Sequence, residues 1–292
     1  MQSRRAFLLG AASASLAGAA DPVIDIHQHT HYSGRSDAEL VAHQREMGIA
    51  KTVLLPAGSK YGLAADAWGN DSVVELARRY PGEYLFFANE LPDIPETKSV
   101  IEKYLKMGVI GIGEQKFPVD ADSKPIDLIA SIARAFDVPV LLHFQHKAYN
   151  FGYENFHKIL ERHPRVNFIG HAQTFWGNID RNHDQPVMYP KGRVTPGGIT
   201  DRLLADYPNM YADLSAGSGL NALGRDEEHA REFIRRHQDK LLYGSDCSDR
   251  DGKGKACSGS QQIAAVRRLS PGPEAERKLL YANAARVLKI KA

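Results

Sequence analysis

Asp25-Ile26-His27-Gln28-His29 ends an apolar run that begins at Val23, and this stretch decides the fold. A short Val/Ile run that closes on polar side chains reads as a buried parallel strand delivering its last residues to a site. Side chains alternate along a strand, so His27 and His29 are expected on the same side. Seven further runs share the pattern, at 51–55, 83–88, 109–114, 138–143, 166–171, 210–214 and 241–244. Between them lie helix-like stretches at 37–47, 71–80, 96–107, 125–136, 154–163, 200–207 and 226–238. Two more, 260–269 and 273–290, close the chain. Pro81, Pro164 and Pro208 each stop a helical run, and Gly108 is placed to cap one. Strand then helix, repeated eight times, predicts parallel βαβ units. Eight units in about 270 residues fit an α/β, single-domain (β/α)8 TIM barrel. The rival, an open doubly wound sheet, usually has fewer strands and a Gly-rich phosphate loop after its first strand, which is absent here.

The chain has 292 residues, 43% hydrophobic and 25% charged, ordinary values for a globular protein large enough to bury its own core. Two cysteines exclude a disulfide scaffold and a cysteine-ligated zinc domain. A formal charge of +2 is no nucleic-acid footprint.

Residues 1–20 read as an export leader, leaving 21–292 as the barrel. Arg4 and Arg5 precede an uncharged stretch, 6–20, too short for the roughly 20 residues that span a bilayer, so no stable membrane insertion is expected. Ala17-Gly18-Ala19 is an A-x-A signal-peptide cleavage site. Ser3-Arg4-Arg5-Ala6-Phe7-Leu8 resembles the twin-arginine signal, which implies the twin-arginine export machinery as a partner and the periplasm as destination. Without Arg4 and Arg5 the chain carries 35 basic and 35 acidic side chains. In that compartment Cys247 and Cys257 can pair as a disulfide.

Metal-ligand residue types gather at the C-terminal ends of the expected strands, where a barrel places its active site. They are His27 and His29, Glu114 followed by Lys116, His143, His171 and Asp246. Imidazole and carboxylate without thiolate suit zinc, manganese, iron or nickel. Each alone has a bland reading as a polar strand cap; five strand ends in one topology carry the argument. His43, His157, His163, His229 and His237 lie on helical stretches among charges and are expected to be solvated. His31 is expected to line the pocket or face solvent. His146 and Lys147 can bind a substrate anion, and Phe175 and Trp176 can wall the pocket. The long irregular segment 173–198 reads as a functional lid.

The order His-x-His, Glu, His, His, Asp resembles the amidohydrolase superfamily, in its amidohydrolase-related branch. Tyr243-Gly244-Ser245-Asp246 and Tyr281-Ala282-Asn283-Ala284-Ala285-Arg286-Val287-Leu288 also resemble that branch. The resemblance implies a metal-dependent TIM-barrel hydrolase that cleaves a C–O, C–N or P–O bond of a small-molecule substrate. It implies a divalent metal, zinc first, as one or two ions. One ion would take His27, His29 and Asp246, and a second His143 and His171. Glu114 would bridge them where many relatives carry a carbamylated lysine. Lys116, His146 and Trp176 would meet the substrate. Asp246 would take the proton of a metal-activated water and pass it to the leaving group. The alternatives are a metal-dependent decarboxylase of a small carboxylic acid and a non-catalytic ligand-binding barrel. A homo-oligomer is compatible with each reading.

Overall fold

The computed structural model describes residues 22–58 and 67–291; the stretch 1–20, expected to be an export leader, lies outside the described residues. Eight strands follow the expected runs: β1 Val23–Gln28, β2 Ile49–Leu54, β3 Tyr84–Phe86, β4 Ile112–Gln115, β5 Val140–His143, β6 Phe168–His171, β7 Met210–Asp213 and β8 Leu241–Leu242. All neighbours pair in parallel, as β1-β2-β3 and β4-β5-β6-β7-β8. Hydrogen bonds close both seams. Ala88 N donates to Gly111 O at 3.0 Å and Gly113 N to Ala88 O at 2.9 Å, joining the β3 and β4 sides. Ile26 N donates to Tyr243 O at 3.2 Å and Asp246 N to His27 O at 2.9 Å, joining β8 to β1. The result is the (β/α)8 TIM barrel that the strand count predicts.

The helices are α1 Asp37–Glu46, α2 Asn70–Arg79, α3 Thr97–Leu105, α4 Lys124–Phe136, α5 His157–Arg162, α6 Ala172–Gly177, α7 Ile199–Asp206, α8 Ala216–Gly224, α9 Glu227–His237, α10 Ser258–Leu269, α11 Pro273–Arg277 and α12 Asn283–Val287. Ser36 begins α1 with a capping box: its hydroxyl accepts from Glu39 N while the Glu39 carboxylate accepts from Ser36 N. Gly108, at φ +94°, ends the turn after α3 in the left-handed region, as its placement predicts. The single helix expected over 273–290 is broken by a π-helical turn, Lys278–Ala282. There the Leu279 carbonyl accepts from Tyr243 N at 2.9 Å, so part of the ladder serves the end of β8 instead. The short helices α6 and α8, absent from the sequence reading, follow β6 and β7 at the site end of the barrel.

Ile24, Val53, Phe87, Leu141, Ile169 and Leu242 fill one apolar cluster, and Val287 and Leu288 pack against them. Each such fully buried side chain contributes about 1.5–3 kcal/mol. Leu141 precedes His143 by two residues and Ile169 precedes His171 by two, so the core and the site share one face of each strand. The pairing of β1 with β2 slips between Asp25 and Gln28. Such a slip re-aims the residues that follow it.

Four of the helix histidines expected to be solvated are buried: His43, His163, His229 and His237. His163 Nε2 meets Asp127 Oδ1 at 2.9 Å and His237 Nε2 meets Asp201 Oδ1 at 2.6 Å, partners that a helix pattern does not reveal. His157 remains half-exposed. His31, also half-exposed, stacks on Trp68 at 3.3 Å.

Candidate active site at the barrel mouth

β1 brings His27 and His29 together with their Nε2 atoms 3.1 Å apart. Each ring is fixed from behind: His27 Nδ1 lies 2.7 Å from Asp213 Oδ2 and His29 Nδ1 lies 2.7 Å from Leu55 O. Both Nδ1 atoms therefore donate, and both Nε2 atoms turn lone pairs inward, the second-layer arrangement of metal-ligating histidines. Glu114 Oε2 lies 3.7 Å from each Nε2. Asp246 Oδ1 lies 3.9 Å from His27 Nε2 and 3.5 Å from His29 Nε2, while its Oδ2 lies 3.5 Å from His171 Nε2. Asp246 sits at φ 39°, a left-handed conformation that costs a non-glycine residue roughly 1–2 kcal/mol. Its backbone N–H is tied to His27 O, which holds the strained residue in place.

Electrostatics matches this layout. Burial opposes charge on His27, but the Asp246 and Asp213 carboxylates outweigh it and push its pKa well above the ordinary value. Burial alone would raise Asp246, yet His27, with His171 and His29, holds it well below the carboxylate range. Glu114 is likewise held low against its burial by Lys116 and His143. Burial dominates at His143 and lowers its pKa to about 4.

The donor set fits a divalent ion. The distances of 3.1–3.9 Å among His27, His29, Glu114 and Asp246 suit ligands bonded at about 2.0–2.2 Å to one centre. Asp246 Oδ1 is buried without a hydrogen-bond partner.

The expected second ligand pair is not assembled in the same way. Register places His143 beside His171, but His143 Nδ1 is hydrogen-bonded to Glu114 Oε1 at 2.6 Å and its Nε2 lies 3.2 Å from Gln145 Oε1. Two ligands of one ion rarely approach so closely, since bonds of about 2.0–2.2 Å at ordinary angles hold them about 3 Å or more apart. His171 instead joins the first group: His27, Glu114 and His171 offer mutually close ligand atoms, as do His27, His29 and Asp246. Glu114 does stand between the two sides, one oxygen toward each.

Lys116 is half-buried near Glu114, with Nζ 5.7 Å from the centre of the Tyr149 ring. His146 and Lys147 line a cavity of about 360 Å³ with Gln145, Thr174 and Gln185. Gln145, in that lining, is also the residue that meets His143 Nε2. Trp176 is elsewhere: it is buried, its indole N–H donates to Asp213 O at 2.9 Å, and its ring packs on Phe175 and Phe233. It supports β7 from behind and does not wall the pocket. The segment 173–198 starts as α6 and carries Met188 over Gln145, Sδ to Nε2 3.8 Å.

Sequence reading missed Asp213 and Ser215. Asp213 ends β7 as His143 ends β5, and Asp213-Leu214-Ser215 repeats the spacing of His27-Gln28-His29, so the signal was present. Ser215 Oγ donates to Asp213 Oδ2 at 2.8 Å and lies 3.0 Å from His171 Nδ1. Tyr32 was missed as well. Its ring lies edge-on to His29, and burial and the Asp246 carboxylate push its phenol well above the ordinary value.

A parallel barrel with histidines and carboxylates converging at its C-terminal mouth defines a metal-dependent enzyme class. The chain belongs to the amidohydrolase family, whose sequence model matches residues 24–290. That family is metal-dependent. Comparison with curated protein sequences finds no match. Among solved structures, the chain is similar to a TIM-barrel protein from Bordetella bronchiseptica, at 16% identity and TM-score 0.66 over 92% of this chain and 98% of that one. It is similar to a Pseudomonas putida protein assigned as a 2-pyrone-4,6-dicarboxylic acid hydrolase, at 15% identity and TM-score 0.64 over 93% and 98%. It is also similar to the 5-carboxyvanillate decarboxylase of Novosphingobium aromaticivorans complexed with manganese, at 14% identity and TM-score 0.54 over 86% and 79%. These likenesses establish the fold, shared by hydrolases and decarboxylases.

Proposed function

We propose that the protein is a metal-dependent hydrolase that cleaves a C–O or C–N bond in a small, negatively charged substrate, with P–O esters as a further class to test. Asp246 carries the reading. Its pKa is held well below the carboxylate range, one of its oxygens has no hydrogen-bond partner, and it faces the histidine pair. Its side chain is 12% exposed, against 5% or less for His27, His29, Glu114, His143 and His171, so it is the cluster's door to the mouth.

A divalent ion, zinc in this proposal, would supply a water of lowered pKa and polarise the scissile group. His27, His29 and Asp246 would hold it, with Glu114 Oε2 completing the set. Asp246 accepts the proton of the attacking water and delivers it to the leaving group. His171, held at Nδ1 by Ser215, orients the second oxygen of Asp246. Lys116 and His146 bind a substrate anion at the rim. The place of action is proposed to be the periplasm, on the leader sequence alone.

Turnover of lactones, amides and phosphate esters in ¹⁸O-labelled water tests the reading. One labelled oxygen should enter the product without carbon dioxide release. Asp246→Asn should lower the rate at least about 100-fold, the order that general acid–base catalysis supplies. Carbon dioxide release with uptake of a proton alone would make the protein a decarboxylase and refute the hydrolase.

A further inference from the structure

A second group of ligand types lies outside the barrel mouth. His43 on α1, Cys247 after β8 and Cys257 at the start of α10 are all buried, with ligand atoms within 4.8 Å of one another. The thiols are not bonded; their Sγ atoms are 3.7 Å apart, and His43 Nε2 lies 3.5 Å from Cys257 Sγ. These lengths match the edges of a tetrahedron around zinc, about 3.8 Å between sulfurs and about 3.5 Å between sulfur and nitrogen for bonds near 2.3 and 2.0–2.1 Å. Met47 Sδ stands 3.5 Å from Cys257 Sγ, adding another soft donor.

The ring of His43 is set for ligation by a chain of hydrogen bonds. Gln44 Nε2 donates to Asp25 Oδ2 and Thr52 Oγ1, both at 2.8 Å. Its Oε1 is therefore the acceptor for His43 Nδ1, 3.0 Å away. With the proton on Nδ1, the lone pair of Nε2 points at the thiols, as metal-bound histidines are held. Asp25 also accepts from Ser245, which precedes Asp246, so the same network reaches the barrel mouth.

We propose that His43, Cys247 and Cys257 form a buried structural site for a thiophilic metal ion, Zn²⁺ foremost, separate from the ion at the mouth. Two thiolates and a neutral imidazole leave Zn²⁺ without net charge, which suits a position shut off from water. The ion ties the loop between β8 and α10 to α1, and Asp246 lies in this loop.

Cobalt separates the two sites, because the mouth offers only nitrogen and oxygen. The full-length reduced protein saturated with Co²⁺ should show a thiolate-to-cobalt charge-transfer band in the near ultraviolet. Cys257→Ser should halve it, and Cys247→Ser with Cys257→Ser should remove it while the visible bands of the mouth site stay. Should the double variant fail to fold, alkylation of the wild type gives the answer: Zn²⁺ should slow modification of both thiols at least tenfold. A saturated wild type without the band, a band that survives loss of both cysteines, or thiols that Zn²⁺ does not protect would each overturn the proposal. So would protein isolated without reductant that is two hydrogens lighter and shows no thiolate-to-cobalt band even after reduction.

Discussion

Asp213→Asn changes one atom of the site and should disable His27. Asp213 Oδ2 accepts from His27 Nδ1 at 2.7 Å and from Ser215 Oγ at 2.8 Å, and Oδ1 accepts from Ser215 N at 3.0 Å. An amide has one acceptor and one donor end. With its NH₂ toward His27 it meets a ring N–H and the serine hydroxyl; flipped, it meets the backbone N–H of Ser215. The first orientation lets His27 adapt only by moving its proton to Nε2, which removes the lone pair facing His29 and Asp246. Loss of such a second-layer partner typically weakens metal binding about 10–100-fold, or roughly 1.4–2.8 kcal/mol at 1.4 kcal/mol per factor of ten. Competition against a chromogenic chelator at neutral pH reads this directly, and thermal unfolding without metal separates it from misfolding. An affinity within about twofold of wild type would refute the view that His27 binds the ion through Nε2 under the control of Asp213.

Metal analysis of the Cys247→Ser, Cys257→Ser background should give close to one ion per chain at the mouth, and Glu114→Gln should weaken it without abolishing it. Two ions in that background, falling to one in Glu114→Gln, would restore the bridged pair. Replacing Arg4 and Arg5 by Lys should leave the precursor in the cytoplasm, with processing after Ala19 or Ala20 lost; normal processing in a fractionation assay would exclude the twin-arginine route. Burial would raise the pKa of Asp201, but His237, Arg236 and Gly197 N hold it below the ordinary value. A folded pKa below the unfolded one gives stability that is present above the ordinary carboxylate value, about 3.9, and lost as pH falls below it. Asp201→Asn should therefore cost about 1.5–3 kcal/mol near pH 6, and the gap to wild type in thermal scans should shrink below about pH 4.

The barrel was legible because parallel strands buried on both faces write themselves as short apolar runs, and all eight appear where those runs lie. The ligands were legible for the same reason: His27, His29, Glu114, His143, His171 and Asp246 stand at strand ends. Roles set by partners were not. Nothing local distinguishes a Glu114 that bridges ions from one that grips His143. Trp176 reads as a pocket wall until its indole is seen donating to the back of β7. Asp213 obeys the strand-end rule too, but its role is set by His27 Nδ1, 186 residues away in sequence. The buried His43 was invisible, since its partners Cys247 and Cys257 are more than two hundred residues away.

The hydrogen bond from Asp246 N to His27 O closes the barrel and also unites the two halves of the proposed metal site. Ser245 and Asp25, the neighbouring pair on these strands, are 220 residues apart in sequence. During synthesis the histidine half is made first and the carboxylate half waits until nearly the whole barrel exists. A complete ion site is then a certificate of finished folding. If the proposed twin-arginine leader exports this chain already folded, the ability to retain metal would mark the molecules fit to leave the cell's interior.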